Sequence, residues 1–406
     1  MTDPTPLGLE PTFGFGDRLG LATAGHVQAL RDQGGPIRGI FAQQSIREMQ
    51  RTNRRPEAVM AAARDALASA GYDQPWGADG DHLKSPADVD AVVAAGFTFF
   101  TIDPSEHVDG TADDDDEATI DAKFAAVRDA AGWVEAYEGR TVGVGGGLRI
   151  KFDRATVRRA AVKYGRAIRQ ALELARYIGE VTDGAGELEL SVDETPQPTT
   201  AAEHYIIADQ FRAAGVSLVS LAPRYVGDFE KGVDFRGDAG AFERCLAEHA
   251  AIAAELGPYK LSLHSGSDKL SIYPAFGRIT GGRFHVKTAG TSYLEALRVV
   301  ARHEPTLLRQ VIELSRDRFE TDRATYHISA RLEQVAPAAE LADEALERVY
   351  LDEDAGRQIL HVTFGSVLTQ PELRGAIVAV LDAEPATHRQ VLAEHLGRHL
   401  AALRGG

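Results

Sequence analysis

The 406-residue chain is acidic, with a formal net charge of -16, 44% hydrophobic residues and 26% charged residues. A chain of this length can bury a large core, as one elaborated barrel or as two ordinary domains. Its negative field repels phosphate backbones, and no arginine-rich run interleaved with aromatic residues opposes that field, so we expect no nucleic-acid partner.

The amino-terminal residues have neither a basic flank nor an apolar core, and no later stretch approaches the ~20 apolar residues that span a bilayer. We therefore expect a cytoplasmic protein with no membrane partner. Cys245 is the only cysteine, which excludes an internal disulfide. It lies in a helical pattern, where a buried structural thiol is the usual interpretation.

Short apolar or alternating runs predict eight strands, and alanine-rich segments with apolar residues every three or four positions predict helices between them. The predicted strands are residues 39–44, 75–79, 97–103, 187–193, 216–222, 259–264, 283–288 and 359–364. The clearest predicted helices are residues 56–70, 155–177, 200–214 and 239–256. Eight strands that alternate with helices predict an α/β fold of the (β/α)8 TIM-barrel class.

Two segments exceed a minimal barrel. We predict an N-terminal extension at residues 1–38, a barrel at 39–383 and a C-terminal helix at 384–406. A helical insertion at 305–358 separates the seventh and eighth predicted strands. We expect this insertion to contribute a lid or a subunit contact, so a homo-oligomer is one expected state.

Histidines follow two of the predicted strands. Asp81 and His82 come after the second strand, and His264 ends the sixth. The carboxyl ends of barrel strands meet at one face, so these histidines are candidate ligands of a divalent metal cation. Zinc, manganese, nickel and cobalt all accept imidazole. The alternative for each histidine is a hydrogen bond within a packed turn.

Polar residues also alternate with apolar ones along three predicted strands, 187–193, 259–264 and 283–288, and we expect the polar set to point into the barrel. Lys287 precedes a turn that opens a helix, which predicts an anion pocket for a carboxylate or a phosphate. The glycine-rich residues 142–148 lack the signatures of nucleotide-binding loops and are interpreted as a flexible connection.

Six blocks in a shared order together resemble the tagaturonate epimerase family. They are FGDRLGLATAGH at 15–26, DGDHL at 79–83, LSVDET at 190–195, RYVGDFEKGVD at 224–234, LHSGSDK at 263–269 and FHVKTAGT at 284–291. The resemblance implies a metal-dependent isomerase that interconverts D-tagaturonate and D-fructuronate in hexuronate catabolism. Its partner would be a small ketohexuronate.

A more distant resemblance, to metal-dependent class II ketose aldolases, rests on the Asp-His and LHSGSD blocks. Carried over residue by residue, it implies that Asp81 transfers protons and that His82 and His264 bind the metal. This sequence has no clear counterpart of the remaining aldolase histidine. The preferred third ligand is Glu194, which is alternatively a second acid/base, and the other candidates are Glu230, His107 and His327.

The same blocks contain the residues that we expect to bind substrate: Asp17, Arg18, Arg224, Asp268 and Lys287. Arg224 and Lys287 lie at the ends of the fifth and seventh predicted strands. Either cation is placed to pair with the carboxylate of a uronate.

The chemistry of the two uronates favours retro-aldol cleavage. They differ at a carbon one bond beyond the acidic α position, so simple enolisation does not invert it. Cleavage, rotation of the aldehyde fragment and bond re-formation give the epimer, with a metal polarising the ketone. The alternatives are direct proton abstraction, an aldolase that releases both fragments, and a non-catalytic sugar-binding subunit.

Overall fold

The computed structural model describes residues 3–405, which contain a closed barrel of eight strands and a separate two-stranded sheet. The strands are β1 (Thr12–Gly16), β2 (Arg38–Ser45), β3 (Gly77–Leu83), β4 (Phe99–Ile102), β5 (Arg140–Gly143), β6 (Arg149–Phe152), β7 (Glu187–Val192), β8 (Ser220–Pro223), β9 (Lys260–Leu263) and β10 (Phe284–Thr288). The order around the barrel is β1-β10-β9-β8-β7-β4-β3-β2, and every neighbouring pair is parallel. The TIM-barrel prediction is confirmed.

Helices surround this barrel and extend beyond it. They are α1 (Thr23–Gln33), α2 (Ile46–Arg51), α3 (Pro56–Ser69), α4 (Pro86–Ala94), α5 (Glu117–Val127), α6 (Val134–Tyr137), α7 (Arg154–Val181), α8 (Ala201–Ala213), α9 (Ala239–Leu256), α10 (Tyr273–Ile279), α11 (Thr291–His303), α12 (Pro305–Asp322), α13 (Asp343–Glu347), α14 (Asp354–Val362), α15 (Phe364–Leu368), α16 (Pro371–Ala383) and α17 (Pro385–Arg404). Ser85 and Thr200 cap α4 and α8 through capping boxes. Each serine or threonine oxygen satisfies a free N–H of the first turn.

The first barrel strand lies where the sequence predicted an extension. β1 pairs with both β2 and β10 and closes the barrel. Its glycines permit close packing, because a Cβ at Gly16 would lie 2.5 Å from the carbonyl oxygen of Thr288. The strand predicted at 39–44 is therefore the second of the barrel.

The prediction of an eighth strand at 359–364 is wrong. Residues up to Val362 belong to α14, and α15 begins at Phe364. Ile359, Leu360, Val362 and Phe364 are all buried and form a short apolar run, which a sequence pattern alone does not distinguish from a buried strand. Of the glycine-rich residues 142–148, the first two end β5 and the others form the turn of the β5–β6 hairpin, so part of the segment predicted as a connection is strand.

Two large hydrophobic cores and one small cluster, of Leu7, Ile40 and Phe99, organise residues 3–405. The larger core fills the space between barrel strands and surrounding helices, and Cys245 packs half-buried at its edge. The second core consists of residues from Tyr293 to Val391, mainly on α11 to α16. Helix α17 packs against α1, α10 and α11, so it contacts helices that belong to both cores. In residues 3–405, no helix combines the length and the apolar character needed to cross a bilayer.

Candidate active site

A cavity of about 530 Å³ opens at the carboxyl ends of the barrel strands. At this end of a barrel, the strand termini and the loops bring polar side chains together. The barrel contributes residues that lie at the ends of β2, β3, β7, β8, β9 and β10 or directly follow them. The helical part of the chain contributes residues 325–327 and His361. The cavity is therefore built from both parts of the fold.

His82 lies on β3 in the left-handed backbone region, with a φ of 55°. Its Nδ1 lies 2.7 Å from Asp81 Oδ1, and its Nε2 lies 3.5 Å from Glu194 Oε1. Burial disfavours the charged imidazole, but the neighbouring Asp81 and Glu194 carboxylates outweigh burial and hold the pKa of His82 well above its usual range. Asp81 thus orients the ring so that Nε2 points towards Glu194.

His264 follows β9 and is oriented in the same manner. Its Nε2 lies 2.8 Å from Glu189 Oε1, and its Nδ1 lies 3.1 Å from Asp193 Oδ1. Burial lowers the pKa of His264, but the opposing effect of the Asp193 and Glu189 carboxylates is larger, and the pKa is raised to about 9. The His264 and His82 ring centroids are 5.4 Å apart. Each histidine therefore has one carboxylate at each ring nitrogen.

The side chains of His82, Asp193 and His264 form a group with metal-ligand chemistry. One ligand atom from each residue lies within 4.8 Å of the other two. Burial raises the pKa of Asp193, but the two histidines outweigh burial and lower it below its usual range. Two imidazole nitrogens and an ionised carboxylate oxygen are a donor set that zinc, manganese, nickel and cobalt accept.

Lys287 connects the two carboxylates that orient these histidines. Its Nζ lies 2.7 Å from Asp81 Oδ1, 2.9 Å from Glu189 Oε1 and 2.7 Å from Asp79 Oδ2. Burial disfavours the ammonium, but the three carboxylates hold the pKa of Lys287 well above its usual range. Burial raises the pKa of Asp79 to about 7 despite Lys287, so the cluster carries less negative charge than three free carboxylates would.

The family model for tagaturonate epimerase matches residues 1–403 of this chain. The chain belongs to the tagaturonate epimerase family. The tagaturonate/fructuronate epimerase of Thermotoga maritima is 41% identical over 402 residues, which cover 99% of this chain and 82% of that protein. Proteins of this family are epimerases, and the chain is accordingly an enzyme of the isomerase class.

Solved structures agree with this membership. The native fructuronate-tagaturonate epimerase of Cohnella laeviribosi superposes with a TM-score of 0.92 at 39% identity, covering 99% of this chain and 83% of that one. The same enzyme with one bound glycerol gives a TM-score of 0.91 over the same shares of both chains. A probable tagatose 6-phosphate kinase from Sinorhizobium meliloti, at 15% identity and a TM-score of 0.50, shares the fold, with 97% of this chain and 100% of that one covered.

The structure of this tagaturonate epimerase family member brings the two predicted acid/base residues to the cavity wall. Asp81 contacts His82 and Lys287 through the same oxygen, Oδ1. The Glu194 side chain is 37% exposed, and its hydrogen bond with His82 lowers its pKa to about 2. Glu194 forms a second possible ligand group with His82 and Asp103.

Of the other three candidates for the third ligand, His327 lines the cavity, whereas Glu230 and His107 do not. Glu230 accepts hydrogen bonds from Ser329 and Gln358. His107 is exposed on a short 3-10 helix, and His327 is 71% exposed and contacts Asp228 at 3.3 Å. In residues 3–405, no candidate metal-ligand group includes Glu230, His107 or His327.

Two of the five predicted substrate-binding residues line the epimerase cavity, Arg224 and Lys287. Arg224 also donates to the carbonyl oxygens of Tyr225 and Gly227. The remaining three are held by other contacts and are not part of the cavity wall.

Those three have well-defined partners. Asp17 accepts from the N–H groups of residues 19, 20 and 22. Arg18 pairs with Glu48 at 2.8 Å. Asp268 pairs with Arg357 at 2.9 Å and lies 2.6 Å from His395 Nε2, which places it beside α17.

Sequence reasoning missed four polar residues of this epimerase site. Asp193 and Glu189 were expected to point inwards, and alternation along β7 could have marked both as partners of the histidines. Lys231 follows β8 in a loop, and no pattern distinguishes it from other loop lysines. His361 was assigned to a strand that is in fact α14, so its direction could not be predicted.

Proposed function

We propose that this chain interconverts D-tagaturonate and D-fructuronate by retro-aldol cleavage and re-formation, with a divalent metal ion held by His82, Asp193 and His264. One observation carries the proposal: these three ligand atoms converge beside Asp81 and Glu194 in a cavity at the active end of the barrel. Family membership supports the same pair of uronates, since the relatives named above carry both in their names.

The environment of the two histidines supports the metal. Ligating histidines usually place the second ring nitrogen against a carboxylate, which fixes the tautomer and the direction of the ring. Asp81 and Glu189 occupy those positions for His82 and His264. When bound, such an ion polarises a ketone oxygen and stabilises negative charge that develops on it. Zinc, manganese, nickel and cobalt all suit this donor set.

Asp81 is proposed to take the proton from the hydroxyl on the carbon that is inverted. Burial raises the pKa of Asp81, but His82 and Lys287 outweigh burial and hold it well below its usual range, so the carboxylate is ionised. Both of those contacts use Oδ1, and the residue lines the cavity. We therefore assign the proton transfer to Oδ2.

The proposed reaction conserves all atoms of the substrate. Loss of the hydroxyl proton to Asp81 forms a carbon–oxygen double bond, and the bond to the α carbon breaks. The electron pair of that bond passes to the ketone fragment, which becomes an enediolate. The aldehyde fragment turns, the carbon–carbon bond re-forms on the opposite face, and Asp81 returns the proton to the new hydroxyl.

Glu194 is proposed as a second acid/base at the same hydroxyl, because its exposed carboxylate lies at the cavity wall. The alternative assignment is metal ligation through the group that it forms with His82 and Asp103. We also place the enzyme in the cytoplasm, in hexuronate catabolism. The uronates in the names of its relatives support the place in hexuronate catabolism.

The test is to incubate the metal-loaded enzyme with D-tagaturonate in deuterated water and to follow the products by NMR. We expect D-fructuronate without deuterium at the inverted carbon, because retro-aldol cleavage leaves the carbon-bound hydrogen in place. Accumulated cleavage fragments would identify an aldolase. Stoichiometric deuterium at that carbon would replace cleavage with proton abstraction, and binding without any product would identify a sugar-binding subunit.

A further inference from the structure

The cavity contains four cationic side chains of lysine and arginine, and two of them already neutralise protein carboxylates. Arg47 lies 3.7 Å from Glu194, and Lys287 contacts three carboxylates. Lys231 and Arg224 have no carboxylate oxygen within 4.0 Å among residues 3–405. These two are the cations that remain available to an anionic ligand.

Lys231 makes one hydrogen bond with the protein and Arg224 makes two, although Arg224 still has Nε and Nη2 to donate. Lys231 Nζ donates to a neutral partner, Ser265 Oγ, at 2.6 Å. An ammonium has three N–H donors, so two remain for a ligand. Arg224 instead uses Nη1 for two backbone carbonyls. The Lys231 side chain is also partly withdrawn from water, which strengthens its attraction for an anion.

The His361 side chain lines the same cavity as Lys231. His361 is 2% exposed and lines the cavity wall, and neither ring nitrogen has a hydrogen-bond partner within residues 3–405. A buried imidazole without partners is uncommon, because each unsatisfied polar atom costs free energy. Burial, Arg18 and Lys231 hold the pKa of His361 well below its usual range, so the ring is neutral and has one N–H to donate.

The surrounding backbone leaves space for this ring. A Cβ at Gly290 would lie 2.2 Å from His361 Nε2, and one at Gly232 would lie 2.9 Å from Nδ1. Gly232 also has a positive φ of 73°, which favours glycine. Both ring nitrogens are thus enclosed by backbone beside the turn that carries Lys231, so the ring has to shift before it donates to a ligand in the cavity.

We propose that Lys231, with His361, forms the subsite that binds the carboxylate of the ketouronate. The inference rests on the proposed function, in which the substrate carries one carboxylate at the opposite end of its carbon chain from the hydroxymethyl ketone. An ammonium without a carboxylate partner and a neutral N–H donor complement that carboxylate.

The test uses binding of two linear six-carbon probes that lack a ketone and cannot be cleaved. Galactarate has terminal carboxylates, whereas galactitol has hydroxymethyl groups. Calorimetry on the manganese-loaded protein should show that Lys231→Met raises the Kd for galactarate about 10- to 100-fold, the loss expected for one charge-assisted contact. The Kd for galactitol should change less than about twofold, and Lys231→Arg should retain most of the galactarate affinity.

Two further variants keep the test decisive. His361→Gln should weaken the binding of galactarate more than the binding of galactitol. This variant replaces Lys231→Met in the test if circular dichroism shows that Lys231→Met does not fold. Arg224→Met is the matched comparison at the other available cation. The inference is overturned if Arg224→Met alone removes the preference for galactarate, if wild-type protein binds both probes equally, or if Lys231→Met weakens both equally. Failure of the proposed function appears separately, as absence of tagaturonate turnover by the wild-type enzyme.

Discussion

Lys287 Nζ lies 2.7 Å from Asp81 Oδ1, the same oxygen that lies 2.7 Å from His82 Nδ1. A parallel path runs from Lys287 through Glu189 to His264. One buried ammonium therefore holds the two carboxylates that orient both histidines. The arrangement makes the direction of each imidazole depend on a cation that is itself outside the proposed ligand set.

Replacing this cation should destabilise the protein. Lys287→Met would leave Asp79, Asp81 and Glu189 crowded together without their counter-ion, and breaking such a buried pair costs about 3–5 kcal/mol. We expect that loss in the free energy of unfolding, measured in urea without added metal. Lys151→Met, at a side chain that is 76% exposed, should change the value by less than about 0.5 kcal/mol. Equal stability of the two variants would remove Lys287 from this role.

We predict that epimerase activity depends on a divalent metal ion held by the proposed ligands. Dialysis against a chelator should abolish epimerase activity, and a divalent cation should restore it. His264→Ala and Asp193→Asn should each weaken metal binding by about 10- to 100-fold or more, since changes outside the ligand shell already cost that much. Metal per chain is measured by mass spectrometry after gel filtration.

Glu194→Gln is the matched comparison for these ligands. It should keep the metal if Asp193 supplies the carboxylate ligand and should lose it if Glu194 does. Full activity in a metal-free preparation contradicts the whole assignment.

Asp81 is predicted to have two roles that different substitutions separate. Asp81→Asn keeps an oxygen that accepts from His82 Nδ1, so the variant should retain its metal. It loses the base, and kcat should fall by a factor of ~10²–10⁴. Asp81→Ala also removes the acceptor and should bind metal more weakly. If both variants keep wild-type metal content, Asp81 does not orient His82, and if Asp81→Asn keeps wild-type kcat, Asp81 is not the base.

The pH dependence of stability should reflect a buried histidine pair. His204 Nδ1 lies 2.7 Å from His249 Nδ1, and burial lowers the pKa of His249 from 6.5 to about 4. Between these values the unfolded chain binds a proton that the folded chain does not. The contribution of His249 is therefore complete above pH 6.5 and is lost as the pH falls towards 4.

The slope should be about 1.4 kcal/mol per pH unit for this group. Urea unfolding across the window measures it. His249→Gln should make the slope shallower, whereas its cost at about pH 8 should not vary with pH, because imidazole is then neutral in both states. An unchanged slope in the variant would assign the acid sensitivity to other groups.

The sequence predicted most of the barrel because its buried strands contrast with alanine-rich helices. The prediction failed at the first strand and at the last. β1 is short and contains Gly14 and Gly16, which lower strand propensity, although the barrel needs close backbone approach at that point. Residues 359–364 form a short run in which four of six residues are apolar, and periodicity does not separate so short a buried run of helix from a strand.

The candidate site, like the fold, was predicted only in part. The carboxyl ends of parallel strands share one face, so the sequence could bring His82 and His264 together. It favoured Glu194 as the third ligand and did not single out the adjacent Asp193, which approaches His264 whereas Glu194 approaches His82. Lys287 was expected to meet an anion, and the structure shows protein carboxylates around it. Contacts between residues so distant in the chain have no local pattern.

His361 reaches the cavity from α14 in the helical core, whereas the proposed metal ligands come from the barrel. A ligand that contacts both parts binds only molecules in which both are folded, so its binding free energy adds to the stability of the helical core. Amide hydrogens of α14 would then exchange more slowly as the ligand concentration rises, although most of that helix lies away from the ligand. Occupancy of the cavity is in this way linked to transient opening of a distant part of the chain.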